Sequence, residues 1–229
     1  MNNLISTTRE ITTIDINLNY GEIYFETGDT FSTYYENICD SDFVIEENEN
    51  SLSIQDKRKG NFRLFGKKYE YTPIVRITVP KHLEFDKISL STGACEVHAE
   101  SLTTKVFSLK MGAGEFHINE FNISNHASIE SGAGEIHIND GIINNLEISS
   151  GAGEVVIHAA LTGNSNITAG VGEIDLHLIG NPEDYSATIS KGIGRLCVSG
   201  FNTWNGMCYG DGANHITISG GIGEIRITI

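Results

Sequence analysis

Apolar and polar residues alternate along most of this chain with the period of two that is typical of β-strands. From about residue 90 onward, a phrase of the form Gly-x-Gly-Glu-apolar-x-apolar interrupts the alternation at regular intervals. Its three closest copies begin at Gly112, Gly132 and Gly151. Because the phrase returns at a nearly fixed period, the sequence predicts that one structural unit is stacked on the next.

The register extends to seven copies. The residues at the Glu position are Glu96, Glu115, Glu135, Glu154, Glu173, Arg195 and Glu224. The steps between them are 19, 20, 19, 19, 22 and 29 residues, so the last two steps contain insertions. In every copy an apolar residue lies three positions before the first glycine, and another follows the Glu position. Each copy therefore predicts one strand before the glycines and one after them.

The glycine pair predicts a corner between these two strands, because glycine adopts positive φ without a steric penalty. The predicted structural corners are Gly112, Gly114, Gly132, Gly134, Gly151 and Gly153. A helical repeat is excluded, since each interior glycine would cost about 1 kcal/mol relative to alanine. The residue between the glycines grows from alanine to Val171, Ile193 and Ile222, and we expect these larger side chains to fill the corner from inside.

The predicted fold class is all-β, a single-stranded parallel β-solenoid of about 19–20 residues per coil. Residues 86–229 form its seven coils, with an insertion at 199–215. Residues 1–85 form irregular N-terminal coils and a cap, with a basic and aromatic excursion near 56–72. We expect both regions to make one continuous domain, since terminal repeats are atypical because they cover the core.

Composition narrows the range of partners and compartments. The net charge of −15 disfavours nucleic acid, whose phosphates require clustered cations. No segment has the length of a membrane span, and the first residues lack the apolar core of a signal peptide. The four cysteines form no CxxC pair, which favours free thiols in a reducing compartment. The sequence as written predicts a cytoplasmic protein, with envelope association through a partner.

Two segments outside the repeat are candidate interaction surfaces. Their candidate residues are Lys57, Arg58, Lys59, Phe62, Arg63 and Phe65 in the first segment, and Phe201, Trp204, Met207 and Tyr209 in the second. Basic and aromatic residues together suit docking of an acidic partner, and aromatic residues are enriched at interfaces and on sugar-binding platforms. The alternatives are a hairpin that closes the N-terminal end and a flap that covers the other end of the solenoid.

Two columns of polar residues are predicted on the outer face. The Glu positions stack, and His98, His117 and His137 stack beside them. Imidazole and carboxylate bind zinc or nickel, so Glu115, His117, Glu135 and His137 are an alternative metal site. The histidine column is interrupted at Val156, and flat ladders do not converge tetrahedrally. We therefore expect outward-facing, metal-free columns, no metal ligands and no cofactor.

The enzyme hypothesis has little support in the sequence. No GxSxG, HExxH, phosphate loop or dinucleotide motif occurs, and a periodic acid is more simply a structural residue. We expect a non-catalytic scaffold or binding module whose partner is a protein or a cell-surface glycan. The alternatives are a carbohydrate-binding or polysaccharide-cleaving β-helix and a metal-binding Glu/His ladder.

The order of elements supports a family resemblance. A degenerate Gly21-Glu22-Ile23 coil and the strand Ile74–Val79 precede the serial Gly-x-Gly-Glu coils. This order resembles the bacterial putative-adhesin family, the domain of unknown function 4097, over nearly the whole chain. The resemblance implies a β-solenoid with an adhesin-like or envelope-related role in protein interaction, and it implies no catalytic residues.

The strand that contains Glu224 and Ile227 follows all the others along the chain. The sequence therefore predicts that its backbone edge is the uncovered end of the solenoid. An uncovered apolar edge is a template for pairing with another chain. Either the 199–215 insertion covers this edge or a second copy does, which predicts a homodimer through the solenoid end.

Overall fold

The computed structural model of the protein describes residues 3–6, 11–39, 41–58, 72–201, 203–205 and 207–229. They form one 14-stranded sheet wound around an apolar core, with one short 3-10 helix at Pro182–Asp184. The strands in chain order are β1 (Asn3–Ser6), β2 (Thr13–Gly28), β3 (Ser32–Glu36), β4 (Phe43–Glu47), β5 (Ser51–Asp56), β6 (Ile74–Pro80), β7 (Glu84–Ile138), β8 (Ile142–Asn144), β9 (Leu146–Thr162), β10 (Asn164–Leu178), β11 (Tyr185–Val198), β12 (Trp204–Asn205), β13 (Cys208–Gly210) and β14 (Asn214–Thr228). The predicted all-β solenoid is confirmed.

Equivalent residues of neighbouring coils pair in parallel register. Glu154 lies opposite Glu135 on one side and opposite Glu173 on the other. Strand β7 continues through 55 residues, because the chain turns its corners without losing strand geometry. Side chains at equivalent positions therefore stack in columns with a spacing of about 4.8 Å.

The core consists of the inward side chains of each coil. The residues that follow the Glu position are buried in six coils: Val97, Phe116, Ile136, Val155, Ile174 and Ile225. In the middle of the solenoid, Phe107 packs edge-on against Phe121 with ring centroids 4.9 Å apart. The alternation in the sequence is thus the alternation between core and surface.

The corners require glycine for two reasons. Gly114, Gly134 and Gly153 have φ of 130°, 141° and 131°, as the sequence predicted. A Cβ atom on Gly134 would lie 1.8 Å from the carbonyl oxygen of Gly114 in the neighbouring coil. The first glycine of each pair has ordinary φ, but a Cβ there would also meet a backbone oxygen; in Gly112, Gly132 and Gly151 the distances are 2.7, 2.5 and 2.4 Å.

The residues between the glycines face outward, which corrects the expectation that they fill the corner from inside. Val171, Ile222 and Ile193 are 51%, 55% and 76% exposed. The turn places the middle residue of each Gly-x-Gly on its convex side, so its side chain points away from the core. The increase in size toward the C-terminal coils therefore changes the surface of the protein.

The N-terminal end of the solenoid is covered. Strand β2 is the first full coil, and it pairs with β7 on one side. Its other side is occupied by β5 along residues 13–17 and by β6 along residues 22–28. Strand β3 runs antiparallel to β6, and β4 runs antiparallel to β5. Gly21 has φ of 143°, so the degenerate Gly-Glu phrase of β2 forms a corner like the others.

The order of strands at the other end differs from the order along the chain. Strand β14 lies between β10 and β11 and pairs in parallel with both. The expectation that β14 is the uncovered strand is wrong, because both of its backbone edges are paired. The insertion after β11 allows the chain to return and place β14 between β10 and β11, where Ile225 and Ile227 become buried. Strand β11 is the terminal coil.

Candidate functional site

The outer face carries a ladder of carboxylates. In spatial order it contains Glu22, Glu96, Glu115, Glu135, Glu154, Glu173 and Glu224, and then Arg195. Like charges at this spacing repel one another unless they are paired or screened. The final rung has the opposite sign from all the others.

An aromatic and imidazole column lies beside the ladder. Tyr24 stacks on His98 with centroids 5.3 Å apart, and His117 stacks on His137 at 5.7 Å. The Tyr24 hydroxyl donates a 2.7 Å hydrogen bond to Glu22. This hydrogen bond, together with burial, raises the pKa of Tyr24 to about 12. Sequence reasoning missed Tyr24, although its position two residues after Glu22 marks it as the first member of the column.

One group in the two columns has donor atoms in metal-binding proximity. The donor atoms of Glu135, His137 and Glu154 lie within 4.8 Å of one another, the one such group found among the described residues. The Nε2 atom of His137 is 3.3 Å from Oε2 of Glu135. Glu115 and His117 lie outside this group, and His117 is hydrogen-bonded to Asn139 at 3.0 Å. Glu154 was not in the predicted set, because its own coil has valine at the histidine position.

Arginine neutralises the carboxylates near the C-terminal end of the ladder. Arg226 donates hydrogen bonds of 2.6 Å to Asp175 and 2.9 Å to Glu224. Arg195 lies in register with Glu224, yet it forms no ion pair with any described residue. Since Glu224 already has Arg226, the charge of Arg195 remains available at the surface.

The exposed residues of the corners form an apolar column at the same end. Val171 lies opposite Ile222, and Ile222 lies opposite Ile193. In the four coils before Val171 the same column contains Ala94, Ala113, Ala133 and Ala152, and its first member, in β2, is Tyr20. The three side chains are each half or more exposed and lie on adjacent rungs, and a contiguous exposed apolar patch is a candidate binding surface.

Strand β11 has an open backbone edge beside this column. The β12–β13 hairpin pairs with residues 186–188, and the Ile189 amide donates to the Met207 carbonyl at 2.9 Å. Along residues 190–198, β11 pairs only with β14 within the described parts of the chain. Leu196 and Val198 are partly exposed, whereas their equivalents in β14 are buried. The apolar core is therefore incompletely covered at this end.

The predicted surface in the 199–215 insertion lies on the hairpin beside β11. Phe201 and Tyr209 pack together with centroids 5.9 Å apart, and Met207 is 37% exposed. A cavity of about 260 Å³ is lined by Phe201, Tyr209, Val198 and Ser199. The Trp204 side chain is outside the described residues. The hairpin thus pairs with residues 186–189 of β11, and no described residue pairs with residues 190–198 on that side.

The basic segment is only partly described. Lys57 is exposed, whereas the Arg58 side chain is 8% exposed and hydrogen-bonded to the buried Asp56 carboxylate. The Arg58 guanidinium also lies 4.1 Å from the Tyr20 ring centroid. Burial opposes ionisation of Asp56, but hydrogen bonds from Arg58 and Asn19 hold its pKa below the ordinary value. These contacts hold the Arg58 side chain against the fold, and Lys59, Phe62, Arg63 and Phe65 lie outside the described residues.

Two further observations concern the cysteines and membrane spans. All four cysteines, Cys39, Cys95, Cys197 and Cys208, are free thiols. Cys95 is buried, and burial raises the pKa of its thiol to about 12. The described part of the chain contains no helix that could span a bilayer.

Comparison with known proteins identifies one family and several similar structures. The family model described as Toastrack DUF4097 matches residues 11–199. A "putative cell adhesion protein" from Clostridium sporogenes is 14% identical, with 99% of this chain and 98% of that chain covered and a TM-score of 0.39. A "putative adhesin" from Bacteroides fragilis is 14% identical, with 100% and 96% covered and a TM-score of 0.49. A "putative lipid binding protein" from Parabacteroides distasonis is 12% identical, with 100% and 96% covered and a TM-score of 0.41. No curated protein matches the sequence.

Proposed function

Since the chain belongs to the Toastrack DUF4097 family, we propose that it is a non-catalytic β-solenoid scaffold that holds a protein partner on its open end. The observation that carries this proposal is the exposed column of Val171, Ile222 and Ile193 next to the open edge of β11. Apolar side chains of this size are stabilised when a partner removes them from water.

The rigidity of the solenoid supports a scaffold role. Each coil is fixed to its neighbours by continuous parallel pairing, and the corners leave no room for a side chain at the second glycine. A surface on such a frame is preorganised, so little conformational entropy is lost when a partner binds. The N-terminal end is covered by β5 and β6, which makes the two ends of the solenoid different.

A photo-crosslinking experiment tests the proposal. A benzoyl-phenylalanine is placed at Ile222, and separately at Ile142, which is 58% exposed and lies elsewhere on the surface as a matched control. In cells that make the protein, we expect position 222 to crosslink one discrete protein that position 142 does not reach. Equal crosslinking from both positions, or none from position 222, would contradict a partner-binding end.

A second candidate function is weak binding of a divalent cation by Glu135, His137 and Glu154. The supporting observation is the proximity of two carboxylates and one imidazole, a donor set suited to zinc. Calorimetric titration with zinc chloride tests it, with His137→Ala as the variant and His82→Ala, an exposed histidine outside the group, as the control. Identical titrations of the two variants would remove this candidate.

A further inference from the structure

We propose that the open part of β11, residues 190–198, is a docking site for an extended acidic segment of the partner, which adds as one more parallel rung. This inference rests on the proposed scaffold function and specifies the chemistry of what is bound. Addition of a strand to a sheet edge combines backbone hydrogen bonds with recognition of alternate side chains.

The backbone and the core both end at this strand. Residues 190–198 pair on one side only within the described chain, and Leu196 is partly exposed where Ile225 of β14 is 3% exposed. A further strand in the same register would pair with the free edge. It would also cover Leu196 and Val198 in the way that each coil covers the one before it.

The charge of the terminal rung selects an acidic segment. In the interior of the ladder, glutamate stacks on glutamate; at the end the sequence places Arg195. Arg226 already neutralises Glu224 at 2.9 Å, so Arg195, which is exposed and in register with Glu224 on the terminal rung, has no ion-pair partner among the described residues. A carboxylate opposite Arg195 would complete an ion pair that the chain itself leaves incomplete.

Lys191 is a second cation at the same edge. Its ammonium group donates a 3.0 Å hydrogen bond to the carbonyl oxygen of Gly194. A lysine folded along an exposed edge protects it from indiscriminate strand pairing. An incoming strand must displace this contact, and a carboxylate on that strand provides a better partner for the ammonium group than the carbonyl oxygen does.

A second copy of this chain fits the site less well. Head-to-tail stacking requires an open parallel edge at the N-terminal end, but β5 and β6 occupy the outer side of β2. Pairing of β11 with itself around a two-fold axis is antiparallel, and it brings Lys191 and Arg195 of both copies into one short interface. Such pairing places like charges together on two chains that each carry −15.

The geometry defines a pattern for the partner segment. It requires an apolar residue opposite Ile193, glycine opposite Gly194 and a carboxylate opposite Arg195. Glycine is required because a Cβ on the second glycine of a coil would collide with a carbonyl oxygen of the neighbouring coil. A Cβ on Gly194 itself would lie 1.6 Å from such an oxygen. Residues 166–177 of this protein have the pattern, with Val171, Gly172 and Glu173, and serve as a probe peptide.

Fluorescence polarisation with two labelled peptides tests the site. One peptide has the natural sequence 166–177, and the other carries Glu173→Lys. We expect the wild-type protein to prefer the natural peptide, and Arg195→Glu to reverse the preference, with a change of about tenfold for each peptide. Lys81→Glu, the same charge change at an exposed site elsewhere, is the matched control and should leave both affinities unchanged. Hydrogen exchange at residues 194–198 should slow when the natural peptide binds.

Three outcomes would overturn the inference. They are no binding of the natural peptide, binding that Arg195→Glu does not change, and a dimer in light scattering that Ile193→Ser abolishes, which would make a second copy the occupant. Thermal melts of each variant establish that it is folded. If Arg195→Glu does not reverse the peptide preference while position 222 still crosslinks a protein, the proposed acidic segment is refuted and the scaffold function stands. If both fail, the proposed function fails as well.

Discussion

Two adjacent corner residues, Ala133 and Gly134, can each be replaced by valine. Comparing the stability of the two variants separates the requirement for glycine from the general effect of a larger side chain at the corner. Gly134→Val places a Cβ 1.8 Å from the Gly114 carbonyl oxygen, at a residue with φ of +141°. Ala133→Val adds the same side chain one residue earlier, on the exposed side of the corner. The equivalent residue in another coil is already Val171. We expect Gly134→Val to destabilise the protein strongly and Ala133→Val to have almost no effect.

The magnitude follows from two contributions. A non-glycine residue in this region of φ costs about 1–3 kcal/mol. Real Cβ atoms essentially never approach another heavy atom closer than 3.0 Å, so the two coils must separate by more than 1 Å to relieve the contact. This separation weakens the backbone hydrogen bonds between the coils, which are worth roughly 0.5–1.5 kcal/mol each. Together they predict a loss of about 3–5 kcal/mol for Gly134→Val, against about 0.5 kcal/mol or less for the surface change Ala133→Val.

Thermal and urea unfolding, followed by far-UV circular dichroism, measures the difference. A solenoid can lose coils from one end before the rest unfolds, so both transitions should be recorded over the full range of temperature and denaturant. Gly134 lies in the middle of the array, where no single end can relax. Equal melting curves for the two valine variants would refute the argument that the corner excludes a Cβ.

The remaining predictions concern the end coil, two ionisable groups and metal content. Gly194→Val should cost less than Gly134→Val in the same melts, despite a closer contact of 1.6 Å, because β11 can move outward. The lowered pKa of Asp56 stabilises the fold above pH of about 4, and this contribution disappears as the pH falls through the folded pKa, so the melting difference from Asp56→Asn should shrink there. Tyr24 should ionise near pH 12 in ultraviolet titration, and stability should fall as the pH rises above about 10; Glu22→Gln should lower that pKa. Purified protein that has not met a chelator should contain no stoichiometric zinc or nickel by elemental analysis, and metal lost on His137→Ala would contradict this expectation.

The repeat made most of the fold predictable. Apolar alternation located the strands, and the glycines located the corners, because both signals depend only on local geometry. The direction of the residue between the glycines was not predictable from its type. Isoleucine is a typical core residue, so its type predicts that Ile193 is buried. Only the geometry of the turn shows that its side chain points away from the core. The sequence shows Arg195 as the one basic residue at the Glu position, but only the structure shows that it has no ion-pair partner among the described residues.

The order of the last coils could not be obtained from the same signals. Gly192 and Gly221 begin nearly identical phrases, so either coil fits next to β10 as far as local pattern is concerned. Which of the two coils pairs with β10 depends on the insertion between them. It also depends on the free energy gained when Ile225 and Ile227 are buried between two neighbouring coils. In the same way, the group formed by Glu135, His137 and Glu154 depends on the approach of two coils, which periodicity alone does not specify.

The insertion of β14 between β10 and β11 has a consequence for how the protein is made. During synthesis, coils up to β10 can add to the growing array as each emerges from the ribosome. Strand β11 emerges before β14. In the finished protein, however, β11 pairs with β14, which has not yet been synthesised when β11 emerges. It must wait, or occupy the position next to β10 and later leave it. The C-terminal end of the solenoid is therefore completed late, by pairing between strands that are distant in the sequence. Coil-by-coil folding in the order of translation can proceed only as far as β10.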